Sequence, residues 1–72
     1  MKKTIELLDV VALTQDVAEK RLYRGQVGTI VEILAPGVYE VEFVDKEGQT
    51  YAMEALQADQ VLLLHYEAMH AA

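Results

Sequence analysis

The segment Val38-Tyr39-Glu40-Val41-Glu42-Phe43-Val44 constrains this chain more than any other part of the sequence. Tyr39, Val41 and Phe43 fall on one face and Glu40 and Glu42 on the other. A period of two belongs to an extended strand and not to a helix. One face of that strand is therefore core and the other is wet. Ala35-Pro36-Gly37 precedes it, with proline to preset φ and glycine to supply φ > 0, which is the pairing a type II turn needs. Asp45-Lys46-Glu47-Gly48-Gln49 follows it and reads as a hairpin loop with Gly48 in a left-handed conformation.

Similar punctuation divides the rest of the chain into short pieces. Asp9 to Leu13 is a compact β-branched run, and Thr14 to Arg24 is a long polar loop in which Val17 to Arg21 has room for one helical turn. Gln26 to Leu34 is a second strand, interrupted by Gly28, and a glycine there marks a bulge or a sharp bend. Thr50 to Leu56 reads as the strand returning from the hairpin, although its alanines and Met53 also suit a helix. Ala58-Asp59-Gln60 is a tight turn or a single 3₁₀ turn before a last strand, Val61 to Leu64. The tail from His65 to Ala72 holds helix formers but is too short to form a helix unaided.

Five short strands at these spacings predict an all-β fold, a small five-stranded SH3-like barrel with a long first loop, in which closure of the sheet removes exposed edges. The chain is expected to be one domain over residues 1–72, with its core within about 5–65 and a tail over 66–72. Val11, Leu13, Val27, Val31, Ile33, Tyr39, Val41, Phe43, Met53 and Leu63 are the expected core. At 72 residues with no cysteine, no disulfide can supplement that core.

Charge and residue inventory narrow the function. Of the formal charge of −6, residues 1–24 contribute +1 and the remainder −7, with Lys46 the only basic group after Arg24. Such a field repels phosphate, so nucleic acid is not an expected partner. The cluster Lys20, Arg21 and Arg24 is read as solubilising. There is no serine and no cysteine to act as nucleophile. His65 and His70, five apart, share a helical face poorly and fall on opposite faces of a strand, so neither a metal nor a cofactor is expected. Gly25-x-x-Gly28 lacks the Lys-Ser/Thr of a phosphate-binding loop. No signal-peptide pattern and no long apolar run occurs, and a cytoplasmic, non-enzymatic protein with no membrane partner is the expectation.

The blocks Asp9 to Leu13, Arg24 to Leu34, Gly37 to Ala52 and Leu56 to Leu64, taken in order, resemble a family of short bacterial proteins catalogued as a domain of unknown function. The resemblance covers roughly residues 5–65 and implies an SH3-like barrel. The portion from Gly25 to Ile33 is also similar to the opening strands of the barrel in the nitrile hydratase beta subunit and to the glycine-centred strand of KOW modules. It implies, as alternatives, an accessory barrel of a metalloenzyme or a KOW-like RNA-binding module. The family resemblance implies small neighbouring genes in arrangements similar to toxin–antitoxin or immunity pairs.

Two surface features single out candidate partner-binding residues. Glu40 and Glu42, with Glu32 on a neighbouring strand and Glu54 beyond, form an acidic stripe suited to a basic partner. If Val31, Ile33 and Leu63 point inward, then Ile30, Leu34, Leu62 and Leu64 point outward, and the surplus of aliphatics suggests a contiguous interface and a homodimer. Tyr23 and Tyr66 are the aromatic anchors expected to be exposed. The function expected is that of a protein-binding module, such as an antitoxin, immunity or accessory protein.

Overall fold

A computed structural model describes residues 4–65. Among them five strands form one antiparallel sheet: β1 (Val10–Leu13), β2 (Val27–Ala35), β3 (Val38–Val44), β4 (Thr50–Gln57) and β5 (Val61–Leu63). The order across the sheet is β4-β3-β2-β1-β5. Strands β1 to β4 run as a meander, and β5 returns to pair with β1 after a 3₁₀ turn at Ala58–Gln60. That is the expected all-β fold of five antiparallel strands with only short 3₁₀ turns. The expected closure into a barrel that removes its edges is not found, because β4 and β5 do not pair with each other. The sheet is open, because β4 and β5 lie at its two ends.

A single sheet has no second layer to cover its apolar face, so it buries that face by curling around it. The buried cluster draws Val11 and Leu13 from β1, Ile30 from β2, Tyr39, Val41 and Phe43 from β3, Leu56 from β4 and Val61 from β5. The long loop between β1 and β2 completes it. Val17 and Leu22 pair with each other across a 3₁₀ turn at Ala18–Lys20 and are both buried, Leu22 with 0% exposure. This loop works as a plug for the concave side rather than as a solvated excursion.

The turns follow the chemistry of their residues. Gly37 has φ +76° after Pro36, and Gly48 has φ +82° in the β3–β4 hairpin, where its N–H donates to the Asp45 carbonyl. The Asp45 carboxylate accepts from the N–H groups of Glu47 and Gln49 and closes the loop from inside.

Half of the expected core is found: Val11, Leu13, Tyr39, Val41 and Phe43 are buried. Val27 and Met53 are instead 47% exposed on the outer face, because β1 and β3 pin them opposite Ala12 and Glu42. Ile33 shares the face of Tyr39, its partner in β3, but lies near the end of β2 and remains 46% exposed. Val31 and Leu63 are half-buried. Ile30, expected outside, is fully buried opposite Val41. The reason is an extra residue: Ile30 pairs with Val41 and Glu32 with Glu40, so Val31 is a bulge that shifts the alternation by one. Further irregularities fall at Leu34 in β2 and Tyr51 in β4.

Gly28 is not itself a bulge. It pairs in register with Val11 on one side and Phe43 on the other. Its role is close approach: a Cβ built there would lie 2.6 Å from Val41 Cγ1, 2.9 Å from the Glu42 carbonyl oxygen and 3.1 Å from Phe43 Cδ2. Absence of a side chain lets the two flanking strands bring their core residues together.

Candidate docking face

Every charged side chain on the five strands is a glutamate: Glu32, Glu40, Glu42 and Glu54. Lysine and arginine among the described residues are confined to the connections, at Lys20, Arg21, Arg24 and Lys46. Directly opposed residues of an antiparallel pair share a face, so the register determines where each glutamate points.

Glu32 and Glu40 are cross-strand partners on the outer face, with Ala55 next in the same row. Their Cβ atoms are therefore about 5 Å apart, a placement of like charges that disfavours the isolated fold. The bulge at Val31 makes this possible. Without it Glu32 would follow Ile30 onto the buried face. Glu42 lies in the adjacent row, between Thr29 and Met53, and its carboxylate accepts a hydrogen bond from the Thr50 hydroxyl.

The opposite end of the same face is apolar. Leu62, Ala12 and Val27 form a row across β5, β1 and β2, and Leu62 is 58% exposed. Val44, two residues beyond Glu42 along β3, is also exposed. Beside this row, Ala12, Thr14, Asp16, Arg24 and Leu62 line a shallow groove, in which the Asp16 carboxylate accepts from the Arg24 backbone N–H at 2.9 Å. The outer face thus grades from apolar at the β5 side to acidic at the far end of β2 and β3. It presents no basic side chain from any strand.

The remaining candidates are placed elsewhere. Glu54 stands opposite Val41, so it belongs to the concave face and not to the acidic stripe. There it accepts a hydrogen bond at 2.9 Å from Lys20 Nζ, which raises the Lys20 pKa above its ordinary 10.5 through that hydrogen bond and the Glu54 charge. Ile30 is core and offers nothing to a partner. Tyr23 is exposed on the loop, whose end is fastened by Gln26: its side-chain oxygen accepts from the Tyr23 N–H and its amide nitrogen donates to the Tyr51 hydroxyl. Tyr66 and His70 lie outside the described residues.

Sequence reasoning missed Val27, Val44 and Met53 as surface groups. Pairing with outward Ala12 and Glu42 is the signal that exposes the first and last. It also missed an exposed pair at the turn before β1, Leu7 and Leu8. Leu8 is 74% exposed and holds φ +70°, a left-handed conformation that suits glycine or asparagine. The turn is maintained around it, as the Asp9 carboxylate accepts from the Glu6 N–H and the Leu8 N–H donates to the Ile30 carbonyl.

No polar side chain is buried among the described residues, and none of their histidine, aspartate and glutamate side chains gather in threes as a metal would require. No helix among them is long and apolar enough to cross a membrane. A family described as Domain of unknown function (DUF4926) matches residues 7–63. The chain belongs to the DUF4926 family. Those residues span all five strands, so the match takes in the whole sheet. No curated protein and no solved structure matches this DUF4926 chain.

Proposed function

We propose that this chain is a non-enzymatic protein-binding module whose outer sheet face docks a basic partner with an apolar margin, in the manner of an antitoxin, immunity or accessory subunit. The observation that carries the reading is the directly opposed pair Glu32 and Glu40, beside Glu42, on a face to which no strand contributes a cation. Uncompensated like charges in adjacent strands are unfavourable in the free protein and become favourable against lysine or arginine from a partner. The exposed Val27, Val44 and Leu62 on the same face supply apolar area to desolvate that contact.

Coexpression with the product of the adjacent gene, followed by affinity purification, tests the proposal. Copurification that weakens with salt and is lost in Glu32→Lys and Glu40→Lys supports it. Failure of the neighbour to copurify, or copurification indifferent to both reversals, overturns it. A salt-dependent RNA mobility shift would point instead to a KOW-like module, and stoichiometric metal in the purified protein to an accessory barrel of a metalloenzyme.

A further inference from the structure

We infer that β4 pairs with β4 of a second copy of this chain, antiparallel about a two-fold axis through Ala55, so that the two sheets become one. The sheet order leaves β4 at one end, hydrogen-bonded to β3 alone. The Ala58 N–H donates to the Gly37 carbonyl at 2.9 Å, one step beyond the Val38 and Gln57 pair. In an antiparallel ladder hydrogen-bonded and non-bonded pairs alternate. Leu56, Glu54 and Ala52 therefore direct their backbone groups to β3, and Gln57, Ala55 and Met53 direct theirs away from the sheet. Among the described residues no partner takes up the outward donors and acceptors of Ala55 and Met53, while the Gln57 N–H already donates to the Gln60 side-chain oxygen at 2.8 Å.

Natural sheet edges are guarded by proline, lysine, a bulge or a covering segment. From Ala52 to Gln57 this edge has no proline and no lysine, and the irregularity in β4 falls before it, at Tyr51. Its single charge, Glu54, is turned to the concave face and paired with Lys20. The edge is thus locally neutral on a chain of net charge −6. A basic partner would be drawn to Glu32 and Glu40, whereas an identical neutral edge is the occupant that meets no repulsion here.

Register follows from the same alternation. An axis on Ala55 pairs Ala55 with its own copy and sets Met53 opposite Gln57 of the partner subunit. There the Met53 N–H donates to the carbonyl of Gln57 of the partner subunit, and the Gln57 N–H stays with Gln60. Glu54 then faces Leu56 of the partner subunit. Moving the axis to Glu54 would oppose two carboxylates directly, which is unfavourable.

Sedimentation equilibrium at concentrations up to about 100 μM reads the association, since an edge contact of this size gives micromolar rather than nanomolar affinity. The expected mass rises from 8.1 kDa to twice that value, with little dependence on salt. Ala55→Lys puts two ammonium groups together at the axis, yet in a single copy the new lysine stands beside Glu40 on the outer face. It is expected to weaken association at least tenfold while leaving the far-UV spectrum and thermal midpoint intact. The chain has no cysteine, so single-cysteine variants report position directly. A short bis-maleimide, which adds one cysteine thiol across each of its two double bonds, should join Ala55→Cys into a covalent dimer and leave Leu62→Cys, on the far edge strand, as monomer. A monomer at 100 μM, a dimer untouched by Ala55→Lys, or equal cross-linking at both positions would overturn the inference. None of these readouts involves the basic partner of the outer face.

Discussion

Replacing Gly28 with alanine adds one methyl group at the most crowded point of the sheet. The new carbon would lie 2.6 Å from Val41 Cγ1 and 2.9 Å from the Glu42 carbonyl oxygen. Val41 is fully buried and so cannot rotate into free space, and the carbonyl belongs to a strand paired on both sides. Relief must come from shifting β2 against β3. Overpacking of this kind costs roughly 1–3 kcal/mol. Gly28 does not occupy a left-handed conformation, so alanine regains about 0.4–1 kcal/mol by narrowing the unfolded ensemble. With contacts of 2.6 and 2.9 Å, the second to backbone, the overpacking falls in the upper half of that range. The net loss is therefore about 1–2.6 kcal/mol, which for a domain this small lowers the thermal midpoint by roughly 4–20 °C. Urea and thermal unfolding followed by circular dichroism measure it. An unchanged or raised midpoint would refute the close-approach explanation for this glycine and would mean that the strands separate at little cost.

Leu22→Ala removes a fully buried side chain supplied by the loop and should cost about 2–5 kcal/mol in denaturant titration, a large share of what a domain of this size possesses. A loss below about 1 kcal/mol would show that the loop does not plug the core. Leu8→Gly relieves a left-handed φ of +70° at an exposed position and should raise stability by up to about 1 kcal/mol in the same titration. The raised Lys20 pKa stabilises the fold below the unfolded-state value near 10.5, and that contribution disappears as pH rises through the higher folded-state value. Stability measured from pH 9 upward should therefore fall less steeply in Glu54→Gln than in the parent. Glu40→Lys should stabilise the isolated protein by about 0.2–1 kcal/mol, by placing a cation opposite Glu32, while it weakens partner capture.

Alternation made β3 legible from its residues alone, since Tyr39, Val41 and Phe43 contrast with Glu40 and Glu42. The flanking turns were legible for the same local reason: Pro36-Gly37 and Gly48 carry backbone preferences that no distant contact has to supply. β2 offers no such contrast. Thr29, Ile30, Val31, Ile33 and Leu34 are apolar or neutral on both parities, so neither the buried face nor the bulge can be read from them.

What the sequence determined by itself was the number of strands, their rough limits, the turns between them and the outward direction of Glu40 and Glu42, all set by interactions between near neighbours in the chain. Only the tertiary structure decided the rest. Pairing with β3 turned Ile30 inward and Glu32 outward through one extra residue, and it set Glu54 on the concave face within reach of Lys20. Leu22 entered the core from a polar loop because the curled sheet left a space that its own side chains do not fill. The physical reason is shared: alternation orders residues within one strand, but which parity faces inward is fixed by register against another strand, and one bulge reverses it.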